Sequence, residues 1–213
     1  MKKTLAVLLI LVLTLLGPCA CAEDMPAEEN RYIHPTKGYT FPVPEGWLVV
    51  DAENIDGCMD ALGKGELVFP ALDAPTLNDM KPRFQQLDCA MLFDPHGNNA
   101  VFVTESLGNL WTSEQFAATM IPALKAQFTQ QHPDIEFTSE GEILPMGENE
   151  FITLSGTYHL NGAIFSLDQL YTIDKTRVHC ISLTVSDHAS PENINLFFRE
   201  IVSVLTAFSI TAQ

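Results

Sequence analysis

The segment from Asn149 to Ser186 places the strongest constraint on how this chain folds. It reads NEFITLSGTYHL, NG, AIFSLDQLYTI, DK and TRVHCISLTVS, which is three alternating runs joined by two short polar pairs. Asn161-Gly162 is typical of a type I′ hairpin turn, because both central residues of that turn need a positive φ angle. Asp174-Lys175 is interpreted as the second turn. The segment therefore predicts an antiparallel meander in the middle of a sheet.

The Asn-Gly turn also fixes the register of the first two strands. It sets Leu160 opposite Ala163, and counting back from this pair sets Ile152 opposite Tyr171. Strand side chains alternate between two faces, so one face of the hairpin mixes apolar residues with Thr, Ser, His and Asp. That face is predicted to be solvated or only partly covered. The other face is predicted to belong to the core, with Ile152, Leu154, Tyr158, Leu160, Phe165, Leu167 and Tyr171.

The first 22 residues are interpreted as a signal peptide. Lys2 and Lys3 form a basic start, Leu5 to Leu16 an apolar run, and Ala20-Cys21-Ala22 a small-residue cleavage site. The apolar run is shorter than the roughly 20 residues that a membrane-spanning helix needs. We therefore predict a secreted, extracytoplasmic protein that is cleaved after Ala22 and has no transmembrane span.

A lipoprotein signal is the alternative, with a lipid anchor at the cell envelope on Cys19 or Cys21. Pro18 stands directly before Cys19, and it also lies three residues before Cys21, where such a signal would carry Leu. These flanking residues favour cleavage after Ala22 over lipidation.

The exported chain is strongly acidic. The sequence has 11 Lys and Arg against 27 Asp and Glu, a net charge of −16, and loss of Lys2 and Lys3 takes it to −18. A surface of this charge repels the phosphates of nucleic acids and anionic membranes, so no nucleic-acid partner is predicted. Apolar residues make up 46% of the chain, which is enough for a sizeable core.

Residues 23–34 are polar and are predicted to form a flexible leader, followed by a single domain over 35–213. The domain opens with GYTFPVPEGW, in which Pro42 predicts that the first strand ends or lies at an edge, and Trp47 is predicted to anchor the core. Residues 51–87 are interpreted as an irregular helical insertion beside the sheet. Insertions of this kind are a common location for binding function.

Helix signals recur along the chain. Within the insertion, one helix is predicted to end at Gly63 as a C-cap, and a second is interrupted by Pro82. Thr112 with Gln115 fits a capping box that starts a helix reaching Gln131. Ser190-Pro191-Glu192 gives the N-cap, first-turn proline and acid of a final helix.

Short apolar runs over 89–93 and 100–104 predict a further hairpin, and 135–143 another strand that ends before Pro145. Hairpins followed by a last helix favour an α+β fold around a mostly antiparallel sheet. The final helix carries an apolar stripe, and we expect it to cover the apolar side of the meander. No repeat or low-complexity tract interrupts this order.

Five features follow one another along the chain: the opening GYTFPVPEGW, the apolar pair of strands, the helix start Thr112-Ser113-Glu114-Gln115-Phe116, the Gln169-bearing meander and the closing Ala207-Phe208-Ser209. Together they resemble the PsbP-like fold, over Pro35 to Ile210. This family includes the extrinsic photosystem II protein and many bacterial secreted or lipid-anchored proteins. The resemblance implies an α/β/α sandwich and brings no catalytic residues or cofactor with it.

The exported chain keeps three cysteines, Cys58, Cys89 and Cys180. An odd number in an oxidising compartment leaves two alternatives, a Cys58–Cys89 disulfide or buried thiols without any pair. The buried thiols are favoured, since strand cysteines are among the most buried residues. A nucleophilic pairing of Cys180 with His159 is a weaker hypothesis, because nothing in the pattern lowers the thiol pKa.

Metal binding has little support in the sequence. None of the histidines is spaced as in zinc sites. Asp94, His96 and Asn98 alternate in one loop and could contact a cation, but a turn rich in Asp, Gly and Asn has this composition without any metal. We therefore predict no metal or cofactor site. The histidines are His34, His96, His132, His159, His179 and His188.

Motifs for catalysis and nucleotide binding are absent from the sequence. There is no G-x-S-x-G, no G-x-G-x-x-G and no phosphate-binding loop, and Ser155 lies in mid-strand. We predict a non-enzymatic module that binds another exported protein or a component of the cell envelope. The alternative is a carrier of a small ligand or cation in a pocket between sheet and helices. A hydrolase built on Cys180 or Ser155 is the third hypothesis.

Overall fold

The computed structural model describes residues 30–69, 72–160, 163–186 and 189–210. The predicted signal peptide, Asn161-Gly162 and His188 lie outside these residues. The described chain forms ten strands and four helices. In chain order they are β1 (Arg31–Ile33), β2 (Tyr39–Pro42), β3 (Leu48–Asp51), α1 (Ile55–Lys64), α2 (Ala74–Leu87), β4 (Ala90–Phe93), β5 (Asn99–Ser106), α3 (Ser113–Gln131), β6 (Glu136–Met146), β7 (Asn149–Leu160), β8 (Ala163–Asp174), β9 (Arg177–Thr184), α4 (Pro191–Thr206) and β10 (Ser209–Ile210).

Seven strands form one antiparallel sheet in the order β3-β4-β5-β9-β8-β7-β6. The predicted meander is β7-β8-β9, and all three of its strands have a neighbour on each side. The register of β7 with β8 is the predicted one, from Ile152 opposite Tyr171 to Leu160 opposite Ala163. The second turn is Lys175-Thr176, one residue later than predicted.

The helices cover both faces of this sheet, which confirms the predicted α/β/α sandwich. On one face, α3 packs on the meander and α1 with α2 pack on β3, β4 and β5. On the other face lie α4 and a small antiparallel sheet of order β1-β2-β10. The small sheet packs through Tyr39 and Phe41, and Trp47 stacks on Phe197 of α4 at 5.6 Å between ring centroids.

The prediction that the last helix covers the apolar side of the meander is wrong. Ile152 and Leu154 of that side are fully buried, but they are buried under Phe116 and Phe128 of α3. Helix α4 packs on the mixed side instead, where Phe151 and Leu170 join Ala100, Phe102, Ile181 and Leu183. That surface becomes apolar only when β5 and β9 lie beside the hairpin, so the hairpin sequence alone did not show it.

Several predicted boundaries also change. Arg31–Ile33, which the sequence placed in the leader, form β1 on β2, because Tyr32 packs on Phe41 while its two neighbours face solvent. Helix α1 runs past Gly63 to a left-handed C-cap at Gly65. Helix α2 continues through Pro82, and β6 continues through Pro145 at the edge of the sheet.

The predicted helix starts of α3 and α4 are confirmed. In α3 the Thr112 hydroxyl accepts from the Gln115 amide, and the Gln115 side chain accepts from the Thr112 amide. In α4 the Ser190 hydroxyl accepts from the Asn193 amide, with Pro191 in the first turn.

Candidate functional site

Cys58 and Cys89 are free thiols in the same apolar cluster, between α1, α2 and the sheet. The disulfide between them, which the sequence left open as an alternative, is therefore not formed. Burial raises the pKa of the Cys89 thiol to about 11 and also raises the pKa of Cys58. Both side chains are protonated packing residues at neutral pH and poor nucleophiles.

The hypothetical pair of Cys180 and His159 is not assembled. Cys180 lies opposite Tyr171 on the α3 face of β9, and burial raises its pKa to about 12. His159 is seven residues along β7 from Ile152, the partner of Tyr171, or about 23 Å. Its side chain is exposed and its Nδ1 lies 3.1 Å from Asp134 Oδ2. Cys180 and His159 are therefore too far apart to form a catalytic pair.

Ser155 stands opposite Asp168 across β7 and β8, on the α4 face. Burial raises the pKa of Asp168 to about 8, against the lowering effect of a hydrogen bond with Ser155, so the carboxyl is largely protonated at neutral pH. A protonated acid cannot accept the serine proton. The nearest histidine along β7, His159, is engaged with Asp134. The arrangement gives no support to a serine nucleophile.

The loop with Asp94, His96 and Asn98 uses its polar groups to hold its own turn. Asp94 Oδ1 accepts from the amides of His96 and Asn98, each at 2.8 Å, and Asp94 Oδ2 accepts from the Asn98 side chain. Asn98 Oδ1 accepts from the Ser186 amide. The oxygens that a cation would need are occupied by the loop. Among the described residues no group of three or more His, Cys, Asp or Glu is placed to hold a metal ion.

Two histidines are buried where the small sheet meets the large one. His34 and His179 both contact Tyr39, with ring centroids 4.9 and 5.8 Å from it. His34 Nδ1 accepts from the Thr36 and Lys37 amides, which places the proton on Nε2. His179 Nδ1 lies 2.9 Å from the Thr104 hydroxyl. The sequence did not assign His179 to a face, and the structure places it on the α4 face.

His179 is expected to make the protein sensitive to acid. Burial, and less strongly the charge of Arg177, lower its pKa to about 4, with Asp174 acting in the opposite direction. The unfolded chain takes up the proton below pH 6.5 while the folded chain does not, so stability is lost as the pH falls from 6.5 to about 4.

From pH 7 to pH 4, we expect the free energy of unfolding of the wild type to fall by about 2 to 3 kcal/mol relative to that of His179→Gln. Urea unfolding at both pH values measures it. His96→Gln, in the exposed loop, is the control. Equal pH dependence of the two variants would contradict the prediction.

One cavity, the α2 pocket, lies between α2 and strands of the large sheet. It has a volume of about 90 Å³. Its walls are apolar and come from the inner side of α2 and from β4 and β5, while three polar side chains complete the lining. The lining residues are Met80, Arg83, Phe84, Leu87, Cys89, Met91, Asn99, Val101 and Thr184.

The chemistry of the α2 pocket suits an apolar group better than a cation. Met80, Cys89 and Met91 offer sulfur atoms, but the raised pKa of Cys89 keeps its thiol protonated, and the guanidinium of Arg83 repels a metal ion. The Oγ1 atom of Thr184 is buried without a hydrogen-bond partner in the described structure. Apolar walls with a few polar groups are typical of small-molecule sites.

The sequence indicated this region only in outline. Leu77, Met80, Phe84 and Leu87 recur at helical spacing, and Leu77 and Phe84 are buried against the sheet. The contribution of Thr184, which comes from the far end of the meander, was not predictable from any local pattern.

No protein-family model and no curated protein matches this chain. Among solved structures, a cyanobacterial PsbP (CyanoP) from Synechocystis sp. PCC 6803 is 15% identical, with a TM-score of 0.46, covering 91% of this chain and 98% of that one. LpqN of Mycobacterium tuberculosis, a protein involved in cell envelope biogenesis, is 14% identical, with a TM-score of 0.47, covering 87% and 91%.

A protein of Bacteroides thetaiotaomicron VPI-5482 is 9% identical with a TM-score of 0.45, covering 86% of this chain, which spans about half of that protein's length (49%). At these identities the likeness concerns the fold alone. In the described part of the chain, no helix combines the length and the apolar character needed to cross a membrane.

Proposed function

We propose that this protein is an exported, non-enzymatic module that binds a component of the cell envelope through an apolar group held in the α2 pocket. The observation that carries the proposal is the pocket itself, an apolar cavity between helix and sheet with few polar groups. The separation of the candidate catalytic residues supports the non-enzymatic part. The apolar start of the sequence supports export.

The size of the cavity limits what it holds. A cavity of roughly 150 Å³ is known to bind benzene. By that measure the 90 Å³ of the α2 pocket has room for an alkyl group of about four carbons. The ligand is therefore a small aliphatic molecule or the end of a larger one.

Another exported protein is the second candidate partner. The volume of the α2 pocket is also consistent with this partner, because one aliphatic side chain of that protein would fill the pocket as an anchor. The large exposed apolar side chains of the described residues come from several different elements. They are distributed over β1, the α1–α2 connection, the loop before α3, β8 and α4, as Ile33, Val68, Leu110, Ile164, Leu196 and Val202.

Methionine methyl groups provide a direct test of the pocket. With 13C-methyl methionine, titration with short aliphatic alcohols and carboxylates is expected to shift the signals of Met80 and Met91, which line the pocket. Met120 and Met146 lie on α3 and β6 and serve as internal controls. Leu87→Trp is expected to fill the pocket and abolish the shifts. Uniform or absent shifts of the four signals would contradict the proposed site.

A further inference from the structure

Arg83, at the α2 pocket, differs from nearly all other basic side chains of this protein. Lys2 and Lys3 lie outside the described residues, and Arg31 donates to the Ala207 carbonyl at 3.0 Å. Among the basic side chains of the described residues, Arg83 and Lys175 alone have neither an ion pair nor a hydrogen bond. The paired ones are Lys37, Lys64, Lys81, Lys125, Arg177 and Arg199.

An unpaired arginine is unexpected on such an acidic chain, where 27 carboxylates face 11 basic groups. Two carboxylates of the α1–α2 region are paired with lysines. Asp88 lies 2.8 Å from Lys37 Nζ and also accepts from the Thr36 hydroxyl, while Asp56 pairs with Lys81. Asp79, four residues before Arg83 on α2, forms no ion pair with it. The exposed guanidinium has no ion pair or hydrogen bond with any described residue, which leaves it available to an external anion.

The surroundings of Arg83 define the rest of that anion. Arg83, Asn99 and Thr184 line the same cavity as the aliphatic and aromatic walls, and the Thr184 hydroxyl is buried without a partner in the described structure. A guanidinium binds a carboxylate through two parallel hydrogen bonds, and such charge-assisted bonds are stronger than neutral ones. The walls offer few hydrogen bonds to a sugar or a nucleobase, but they fit an alkyl chain.

We propose that the ligand of the α2 pocket is an amphipathic anion, an aliphatic chain whose carboxylate pairs with Arg83 while its alkyl end fills the cavity. This inference rests on the proposed function and adds to it the charge of the ligand. It excludes metal cations and amines as preferred ligands of this site.

Three probes of equal chain length isolate the charge: pentanoate, 1-pentanol and pentylammonium, titrated against the full exported chain and followed by the methyl signals of Met80 and Met91. Pentanoate is expected to bind about tenfold more tightly than 1-pentanol, and pentylammonium to bind most weakly. Arg83→Gln is expected to weaken the binding of pentanoate about tenfold, to the affinity for 1-pentanol.

Lys175→Gln is the matched control, because Lys175 is the other unpaired basic residue and lies in the β8–β9 turn. It is expected to leave pentanoate binding unchanged. Equal affinity for pentanoate and 1-pentanol, or equal losses in Arg83→Gln and Lys175→Gln, would overturn the anion inference and leave the proposed site standing. Absence of binding by all three probes would instead overturn the proposed function, and the inference with it.

Discussion

Replacing Asp168 with asparagine is expected to stabilise this protein at pH 8 by about 3 to 5 kcal/mol and to leave its stability at pH 4 nearly unchanged. Asp168 is only 4% exposed, and its Oδ2 atom has no hydrogen-bond partner in the described structure. Burial raises the pKa of its carboxyl from 3.8 to about 8. Asparagine occupies nearly the same volume and does not ionise.

The sign of this pH dependence follows from whether the folded or the unfolded chain holds the proton of Asp168. Between pH 3.8 and about 8 the folded chain keeps Asp168 protonated while the unfolded chain releases the proton, so the contribution of this group to stability falls as the pH rises and is constant above pH 8. His179 acts in the opposite direction between pH 4 and 6.5. The wild-type profile therefore contains both effects, and only differences between variant and wild type separate them.

Urea unfolding of Asp168→Asn and wild type from pH 4 to pH 9 measures the effect. Asp79→Asn on the exposed side of α2 is the control, because it removes the same charge from a solvated position. A gain of the same size at pH 4 and pH 8, or one shared by the control, would show that the burial of Asp168 is not its cause.

Gly147→Ala is expected to destabilise the protein by about 3 kcal/mol or more, or to prevent folding. Gly147 lies in the turn between β6 and β7 with a φ of 61°, and a Cβ atom there would lie 1.8 Å from the carbonyl oxygen of Thr206. That contact is with backbone at the end of α4, so it cannot be relieved by rotating a side chain. The adjacent Asn149 side chain donates to the Phe208 carbonyl at 2.7 Å, which holds the turn against the helix end.

Gly63→Ala is the matched control, since Gly63 lies within α1 and a Cβ there would meet nothing within 4 Å. This change is expected to be neutral or to stabilise by up to about 1 kcal/mol, because alanine favours the helix. Thermal and urea unfolding of both variants test the pair of expectations. Similar stability of the two alanine variants would mean that Gly147 is not in close contact with the backbone at the end of α4.

The parts of the fold that the sequence predicted well depend on residues close together along the chain. The β7–β8 register follows from the short turn between Leu160 and Ala163, and the starts of α3 and α4 follow from Thr112 with Gln115 and from Ser190 with Pro191. Local signals were less reliable for endings. The sequence predicts Gly63 as the C-cap of α1, but Gly65, two residues later, adopts the left-handed conformation.

The candidate site was predicted only as a region. The apolar spacing of α2 indicated a helix with one buried side, but the α2 pocket also needs Asn99 and Thr184 from β5 and β9. Arg83 is left unpaired while Lys37 pairs with Asp88 and Lys81 pairs with Asp56. Lys81 and Asp56 are 25 positions apart in the sequence, and Lys37 and Asp88 are still farther apart.

By itself the sequence determined the strands of the meander, the pairing of β7 with β8, the starts of two helices and the acidic charge, because each is set by contacts within a few residues or by composition. Only the tertiary structure decided which face each helix covers, the burial of Asp168 and His179, and the shape of the α2 pocket. These depend on surfaces that several distant segments build together, and a surface of that kind has no signature in any single stretch of chain.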